Sequence, residues 1–417
     1  MKSLIRWVAI VVIGLLLGSA YVQYLVAHPV QMDIYLTFVF LAIFALVFIC
    51  TRYFSGGQRI GAIAISLVAY AAGWYVMTVV VLDREDSRPM PQLVREKGDP
   101  GDGHTAVIYL THGEPPIYDP ISWINQMNEF DEQGIEFVPL MARPFFMKAL
   151  RDSYLKVGKS EHREKSTGMF QALEQAYRDA GDTDTRFYLS FLDDNPRAGA
   201  AVIRALNDGA SRIIVSEVFV TISSHTEEGE HQIREMEPEA YGVELKFTGP
   251  IWDSELMYRM FVNRLNENLD GADKANVGVL LVAHGQPDEW DEIWPLQTEQ
   301  EMLFGQRILD RMVADGYRRE NISKAWMSFK DPVPAVEVER IFANGVEKLF
   351  FFSYTIAAAG IHSQYDIPEL VYEGDVPEDF PIINLGAWGN DPLAIRALKE
   401  KIDAQLDGGT AVAVTKR

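Results

Sequence analysis

The chain has 417 residues, 48% of them hydrophobic, with 38 basic and 59 acidic side chains and a formal net charge of -21. That length and apolar content suit several packed domains and exclude a disordered chain; the acidic balance excludes a general nucleic-acid binder, whose phosphate contacts need clustered Lys and Arg. The charge is uneven: residues 1–82 carry Lys2, Arg6, Arg52 and Arg59 against one acid, Asp33, so the remainder holds 34 basic and 58 acidic groups, a net of -24.

Three apolar runs open the chain, Leu4 to Val26, Ile34 to Thr51 and Ile60 to Leu82. Each approaches or exceeds the ~18 residues that cross a hydrocarbon core as a helix, so a three-helix transmembrane anchor over 1–82 is expected. Lipid offers no hydrogen-bond partners, and Gly14, Gly18, Gly61 and Gly73 fit places where such helices touch. The alternative for the first run is a secretory signal, with Gly18-Ser19-Ala20 as a cleavage-like end. Lys2 and Arg6 precede the first run, the loop from Ala27 to Asp33 has no Lys or Arg, and Arg52 and Arg59 lie in the second loop. The positive-inside rule then puts the N-terminus in the cytoplasm and everything after Leu82 on the extracytoplasmic side of the inner membrane, with Arg84, Arg88, Arg95 and Lys97 counting against it.

The only cysteine, Cys50, lies in the second run, which excludes disulfides and thiolate metal sites from the soluble part. Residues 83–104, with Pro89, Pro91 and Pro100, read as a linker. From Thr105 short β-rich runs alternate with helical stretches, the pattern of an α/β fold with parallel sheets covered by helices. The first half, 105–271, reads as strand Val107–Thr111, helix Ile121–Gly134, strand Arg186–Phe191, helix Pro196–Asn207, strand Arg212–Val220, helix Glu228–Glu237, strand Val243–Phe247 and helix Ser254–Leu269. The second half, 275–406, reads as Val277–Ala283, Leu296–Gly316, Ser323–Phe329, Pro334–Asn344, Lys348–Tyr354, Ser363–Tyr372, Pro381–Leu385 and Pro392–Leu406 in the same alternation, with a tail from 407.

The halves share residues as well as periodicity. His112-Gly-Glu-Pro-Pro-Ile-Tyr-Asp119 matches His284-Gly-Gln-Pro-Asp-Glu-Trp-Asp291, and Gly209 to Ser224-His225 matches Gly345 to Ile361-His362. Histidine to histidine is 113 residues in the first half and 78 in the second, so the first half carries an insertion, placed among the polar residues Arg143 to Lys165. Internal duplication is the simplest account. In parallel sheets ligands bind at the carboxyl ends of strands, where His112, His225, His284 and His362 all fall, so two imidazoles are expected to face one cleft in each half. Neutral imidazole ligates metals and accepts protons near neutral pH. Ser224-His-Thr-Glu-Glu-Gly-Glu-His231 opens a helix and offers Glu227, Glu228, Glu230 and His231 as proton relays or metal oxygens, or as an acidic first turn against the helix dipole. Trp290, Trp294 and Tyr118 could stack on a flat ligand or belong to the core. No nucleophile elbow, Walker loop, Gly-x-Gly-x-x-Gly turn or His-Glu-x-x-His helix occurs, which argues against ATP-driven and nicotinamide chemistry.

Val277-Gly-Val-Leu-Leu-Val-Ala-His284-Gly, Phe350-Phe-Phe-Ser and Gly360-Ile-His362-Ser-Gln-Tyr-Asp366-Ile-Pro368 resemble the class II tetrapyrrole chelatases, the family of sirohydrochlorin cobaltochelatase, with ferrochelatase more distant. The resemblance spans about residues 105 to 405; the first half keeps His112-Gly113 and His225 but has Glu228-Gly-Glu-His in place of Asp-Ile-Pro. It implies two tandem chelatase-like, flavodoxin-like halves and ATP-independent insertion of a divalent ion, cobalt, nickel or iron, into a tetrapyrrole such as sirohydrochlorin. By the same resemblance His284 and His362 bind the ion and accept the pyrrole protons, and His112, His225 and Glu228 are the first-half counterparts. The runner-up from another class is a noncatalytic carrier of metal, haem or tetrapyrrole at the membrane.

Overall fold

The computed structural model describes residues 2–84, 90–132, 134–135 and 138–407. Positions 85–89 of the expected linker and 408–417 of the expected tail lie outside the described residues. The chain divides into two compact units that interrupt each other in sequence: Met1–Arg88 with Ile117–Lys159, and Pro89–Pro116 with Ser160–Arg417. The stretch 117–159, expected within the first half, therefore belongs to the unit that holds the apolar helices.

In that unit α1 (Lys2–Val26), α2 (Met32–Tyr53) and α3 (Gly56–Leu82) are helices. Three segments, Ser3–Val26, Pro29–Tyr53 and Gly56–Leu82, are long and apolar enough to cross a membrane. Glycine sets how closely α1 and α3 approach: a Cβ on Gly18 would lie 2.2 Å from the Tyr70 carbonyl oxygen, and one on Gly73 2.2 Å from that of Leu15. Gly61, expected at a helix contact, would meet only the tip of Trp7 at 3.5 Å. Two further helices, α4 (Pro120–Glu132) and α5 (Arg143–Val157), join this unit. Ile124 and Met127 of α4 and Met147 of α5 share a core with Val22, Leu25 and Val26 of α1 and Trp74 and Leu82 of α3. Arg151, fully buried, donates to the carbonyls of Tyr24 (2.6 Å) and Ala27 (3.1 Å), so a cation satisfies the last carbonyls of α1.

The other unit holds two four-stranded sheets. In the first half the elements run β1 (Thr105–Thr111), α6 (His162–Asp179), β2 (Arg186–Phe191), α7 (Ala198–Asn207), β3 (Arg212–Glu217), α8 (Ser224–Arg234), β4 (Glu244–Phe247) and α9 (Glu255–Glu267). The second half runs β5 (Val277–Ala283), α10 (Pro295–Ala314), β6 (Ile322–Trp326), α11 (Pro334–Ala343), β7 (Lys348–Ser353), a π-helical turn His362–Asp366, α12 (Ile367–Tyr372), β8 (Ile382–Gly386) and α13 (Pro392–Leu406). The orders are β2-β1-β3-β4 and β6-β5-β7-β8, and every pairing is parallel. This repetition of one strand order is the doubly wound pattern expected from the sequence. The central strands are buried on both faces, which is why Val277–Ala283 reads as an unbroken apolar run.

One core joins the halves: Val107, Tyr109 and Ile214 of the first sheet cluster with Val279, Leu281 and Phe352 of the second and with Phe261 and Phe304. Each closing helix also reaches the other half. Arg264 of α9 donates to the carbonyl of Leu385 at 3.3 Å and also to those of Ala387 and Trp388, while Asp403 of α13 accepts from Tyr177 of α6 at 2.7 Å.

Candidate functional site

A strand order of this kind has a switch point where successive loops leave in opposite directions, between β1 and β3 in one sheet and β5 and β7 in the other. His112 and His284 are the residues immediately after β1 and β5. His225 lies in the first turn of α8, after β3, and His362 opens the π-helical turn after β7. The matched positions thus bring histidines to matched switch points. The ring centroids of His112 and His225 are 4.5 Å apart, and those of His284 and His362 5.3 Å apart.

The His-Gly turn fixes the first member of each pair. Gly113 and Gly285 have φ of 88° and 80°, in the left-handed region that favours glycine. A Cβ at Gly113 would also lie 2.7 Å from the Phe191 Cβ, and one at Gly285 2.4 Å from the Ser328 carbonyl oxygen. The turn folds each glycine carbonyl back onto the preceding ring: Nδ1 of His112 and the Gly113 oxygen are 2.8 Å apart, and Nδ1 of His284 and the Gly285 oxygen 2.6 Å. A carbonyl only accepts, so Nδ1 carries the proton and the Nε2 lone pair is left for an ion or a proton.

Carboxylates complete the two pairs differently. In the second half Asp366, one turn beyond His362, holds its Nδ1 at 2.7 Å. In the first half Asp193 lies just past β2, its Oδ2 3.6 Å from Nε2 of His112. The amide of Asp193 donates to the His112 carbonyl (2.8 Å) as that of Ser328 does to the His284 carbonyl (3.2 Å), so the second half has serine at the matching position. Glu228 of α8, buried, accepts from Gln232 at 3.1 Å, and its carboxylate and that of Asp193 come within 4.8 Å of each other.

Burial pushes His112 and His225 below the ordinary imidazole value, and His284 down to about 4, with neighbouring imidazoles adding to it. For His362 burial acts downward too, but the hydrogen bond and charge of Asp366, with the charge of Glu114, raise it overall. The halves are not electrically separate. His225 feels His284 and His362 as well as His112, and His284 feels His112. The imidazole pairs of the two halves thus influence each other's charge. Glu114, buried, ties the halves there: it accepts from the amide of Ile361 (3.0 Å), the residue before His362, and burial raises its pKa. The rings still reach solvent, the His112 and His362 side chains keeping 34% and 40% exposure.

The other candidates fall elsewhere. Glu227 accepts from Nε1 of Trp294 at 2.8 Å, which fixes the mostly buried indole. His231 points outward and pairs with Glu235 at 3.2 Å. Tyr118 is buried, its hydroxyl donating to the Val26 carbonyl at 3.2 Å, so it is a core residue of the helical unit and not a stacking surface. Trp290 packs edge-on against Trp294, centroids 5.4 Å apart. Sequence reasoning missed His162, a buried histidine at the start of α6 whose ring lies 6.5 Å from that of His112. It also missed Asp193, although an acid directly after a buried strand was a usable signal.

No family model and no curated protein matches the sequence. Among solved structures the chain is similar to SirB from Bacillus subtilis with Fe3+, at 12% identity and a TM-score of 0.45, over 72% of this chain and 95% of that one. It is also similar to the sirohydrochlorin chelatase SirB from Bacillus subtilis subspecies spizizenii in complex with cobalt, at 11% identity and a TM-score of 0.44, over 73% and 96%. A third likeness is to DR2241 from Deinococcus radiodurans, a multi-domain protein with structural similarity to chelatases and two additional novel domains, at 14% identity and a TM-score of 0.44, over 76% and 56%. Likenesses this distant leave the chemistry to the chain's own residues.

Proposed function

We propose that this chain is a membrane-anchored chelatase that inserts a divalent ion, cobalt, nickel or iron, into a tetrapyrrole such as sirohydrochlorin without ATP. The observation that carries the proposal is the pair of imidazole pairs at matched switch points, with the Nε2 lone pairs of His112 and His284 left available by their turns. An ion held at about 2.1 Å by two ring nitrogens near a tetrahedral angle places the ring centroids roughly 5 Å apart, and the separations of 4.5 and 5.3 Å fit.

The ion is a substrate, and the protein's work is to hold it, hold the macrocycle and take the pyrrole protons. His284, pushed down to about 4, stays neutral at physiological pH and serves as a ligand. His362 is the better base, because Asp366 stabilises its imidazolium once a proton arrives at Nε2. His112 and His225 supply the ligands of the first half, with Asp193 and Glu228 as carboxylates that draw a cation inward. Imidazole and carboxylate together suit several first-row ions. The positive-inside rule supports a sheet-bearing unit outside the cytoplasm, so protease added to intact spheroplasts should digest it; protection would reverse the orientation.

The function is tested by mixing purified full-length protein in detergent with sirohydrochlorin and Co2+ and following the absorbance of the macrocycle. Many equivalents of product per protein are expected. Stoichiometric metal or tetrapyrrole binding without turnover would instead make the chain a carrier.

A further inference from the structure

Within the helical unit, α5 has two faces. Met147, Arg151 and Tyr154 are buried, while Met141, just ahead of the helix, and Phe145 are 41% and 50% exposed, and Ala149 is exposed on the same line. Steps of four residues stack these three side chains into one apolar stripe. Two independent rulers give the depth of the stripe. The Phe145 ring stacks on Trp74 of α3, with centroids 5.1 Å apart and planes at 28°. Trp74 lies eight residues before the end of α3 at Leu82, which is about 12 Å along the helix. Beyond it Tyr75, Val76, Val79 and Val80 are still exposed apolar side chains of the span. From the other side, Arg151 caps the carbonyl end of α1, and Phe145 lies six residues back along α5, about 9 Å away. Both place Phe145 well inside the end of the apolar helices. The charges of α5 are paired at its start and middle, the buried Arg143 with Asp131 and Lys148 with Asp152, and Lys156 lies near the far end, where long basic side chains reach headgroups and water.

We propose that the start of α5, with Met141, Phe145 and Ala149, is embedded among the acyl chains of the bilayer that α1 to α3 cross, as a membrane-dipping insert that does not span. This rests on the reading of α1 to α3 as spans, and the partner is the lipid of that same bilayer. The insert is joined covalently to site residues at both ends. Ser160 donates its amide to the Pro116 carbonyl at 3.0 Å and closes the neck; His112 stands four residues before that neck and His162 two residues after it.

The test uses the full chain with Cys50→Ala and single cysteines from Phe145→Cys, Ala149→Cys or Lys156→Cys. Each is labelled with an environment-sensitive dye and reconstituted in phosphatidylcholine vesicles. Phe44→Cys on α2, whose ring is largely exposed, is the control for the spans. Labels at 145 and 149 should emit blue-shifted, be quenched by doxyl-lipids and resist iodide several-fold better than the label at 156. Ala149→Cys keeps the test alive if loss of the Phe145–Trp74 stack unsettles the fold. Iodide quenching at 145 and 149 without doxyl quenching, while the Phe44 label is doxyl-quenched, overturns the insert and leaves the spans standing. A Phe44 label that doxyl-lipids do not reach removes both.

Discussion

At the scale of single residues, ligand and base are different members of one histidine pair, His284 lowered and His362 raised. Asp366 raises His362, so the base is lost as pH falls through that raised value, and the acid limb of the insertion rate should lie above the ordinary imidazole value of about 6.5. Asp366→Asn should move this limb to lower pH and cut the rate about 10- to 100-fold, with a smaller change in metal affinity; an unmoved limb would deny His362 the role. His162 gives a second residue-scale prediction. Burial pushes it down to about 3, and its Nδ1 has no hydrogen-bond partner among the described residues. The folded state refuses a proton that the unfolded chain accepts, so stability is intact above about 6.5 and drains as pH falls toward 3. Aligning the buried positions Ser166, Met169, Leu173 and Tyr177 with Glu301, Phe304, Ile308 and Met312 puts Gln297 of the second half opposite His162. His162→Gln should therefore leave unfolding unchanged at pH 7.5 and gain about 2–3 kcal/mol at pH 4.5, read from unfolding midpoints. The four switch-point histidines could be read in the sequence because they recur. His162 and Asp193 have no histidine or acid at the matching position of the other half, so repetition could not announce them.

Among elements, strands buried on both faces were the most legible, since an unbroken apolar run such as Val277–Ala283 leaves one choice. Strand ends were not: Arg212–Val220 ends at Glu217 and Ser323–Phe329 at Trp326, because the residues that follow turn into the site loops. Helix α5 and the first turn of α6 lie in the stretch read as a polar insertion. The charged residues of the two helices masked stripes that only the packing reveals, Met147, Arg151 and Tyr154 in one and Met169, Leu173 and Tyr177 in the other. Arg151 is the extreme case, a buried cation whose partners are carbonyls far away in sequence. Glycines of the apolar helices were read correctly as contact points at Gly18 and Gly73. A side chain there has no room, so Gly18→Val should cost about 1–3 kcal/mol by overpacking and lower the unfolding temperature in detergent, whereas Gly61→Ala, facing only the Trp7 tip, should not.

At the scale of the whole molecule, the two matched halves are built into each other. They share a core, and α9 and α13 each anchor to the opposite half. Residues 274–407 expressed alone should show no cooperative unfolding transition by circular dichroism; a sharp transition would show that the halves are autonomous. The sequence revealed the repeat but not this interdependence, because nothing in a periodic pattern says which half a helix packs against. The same arrangement links the two histidine pairs, with Glu114 of one half bound to the turn that carries His362 of the other. The most direct measurement is the rate of cobalt insertion into sirohydrochlorin by full-length protein carrying His284→Ala and His362→Ala together. The rate should fall by about 100-fold or more with the unfolding temperature preserved, and turnover at the unaltered rate in that folded variant would contradict the assignment.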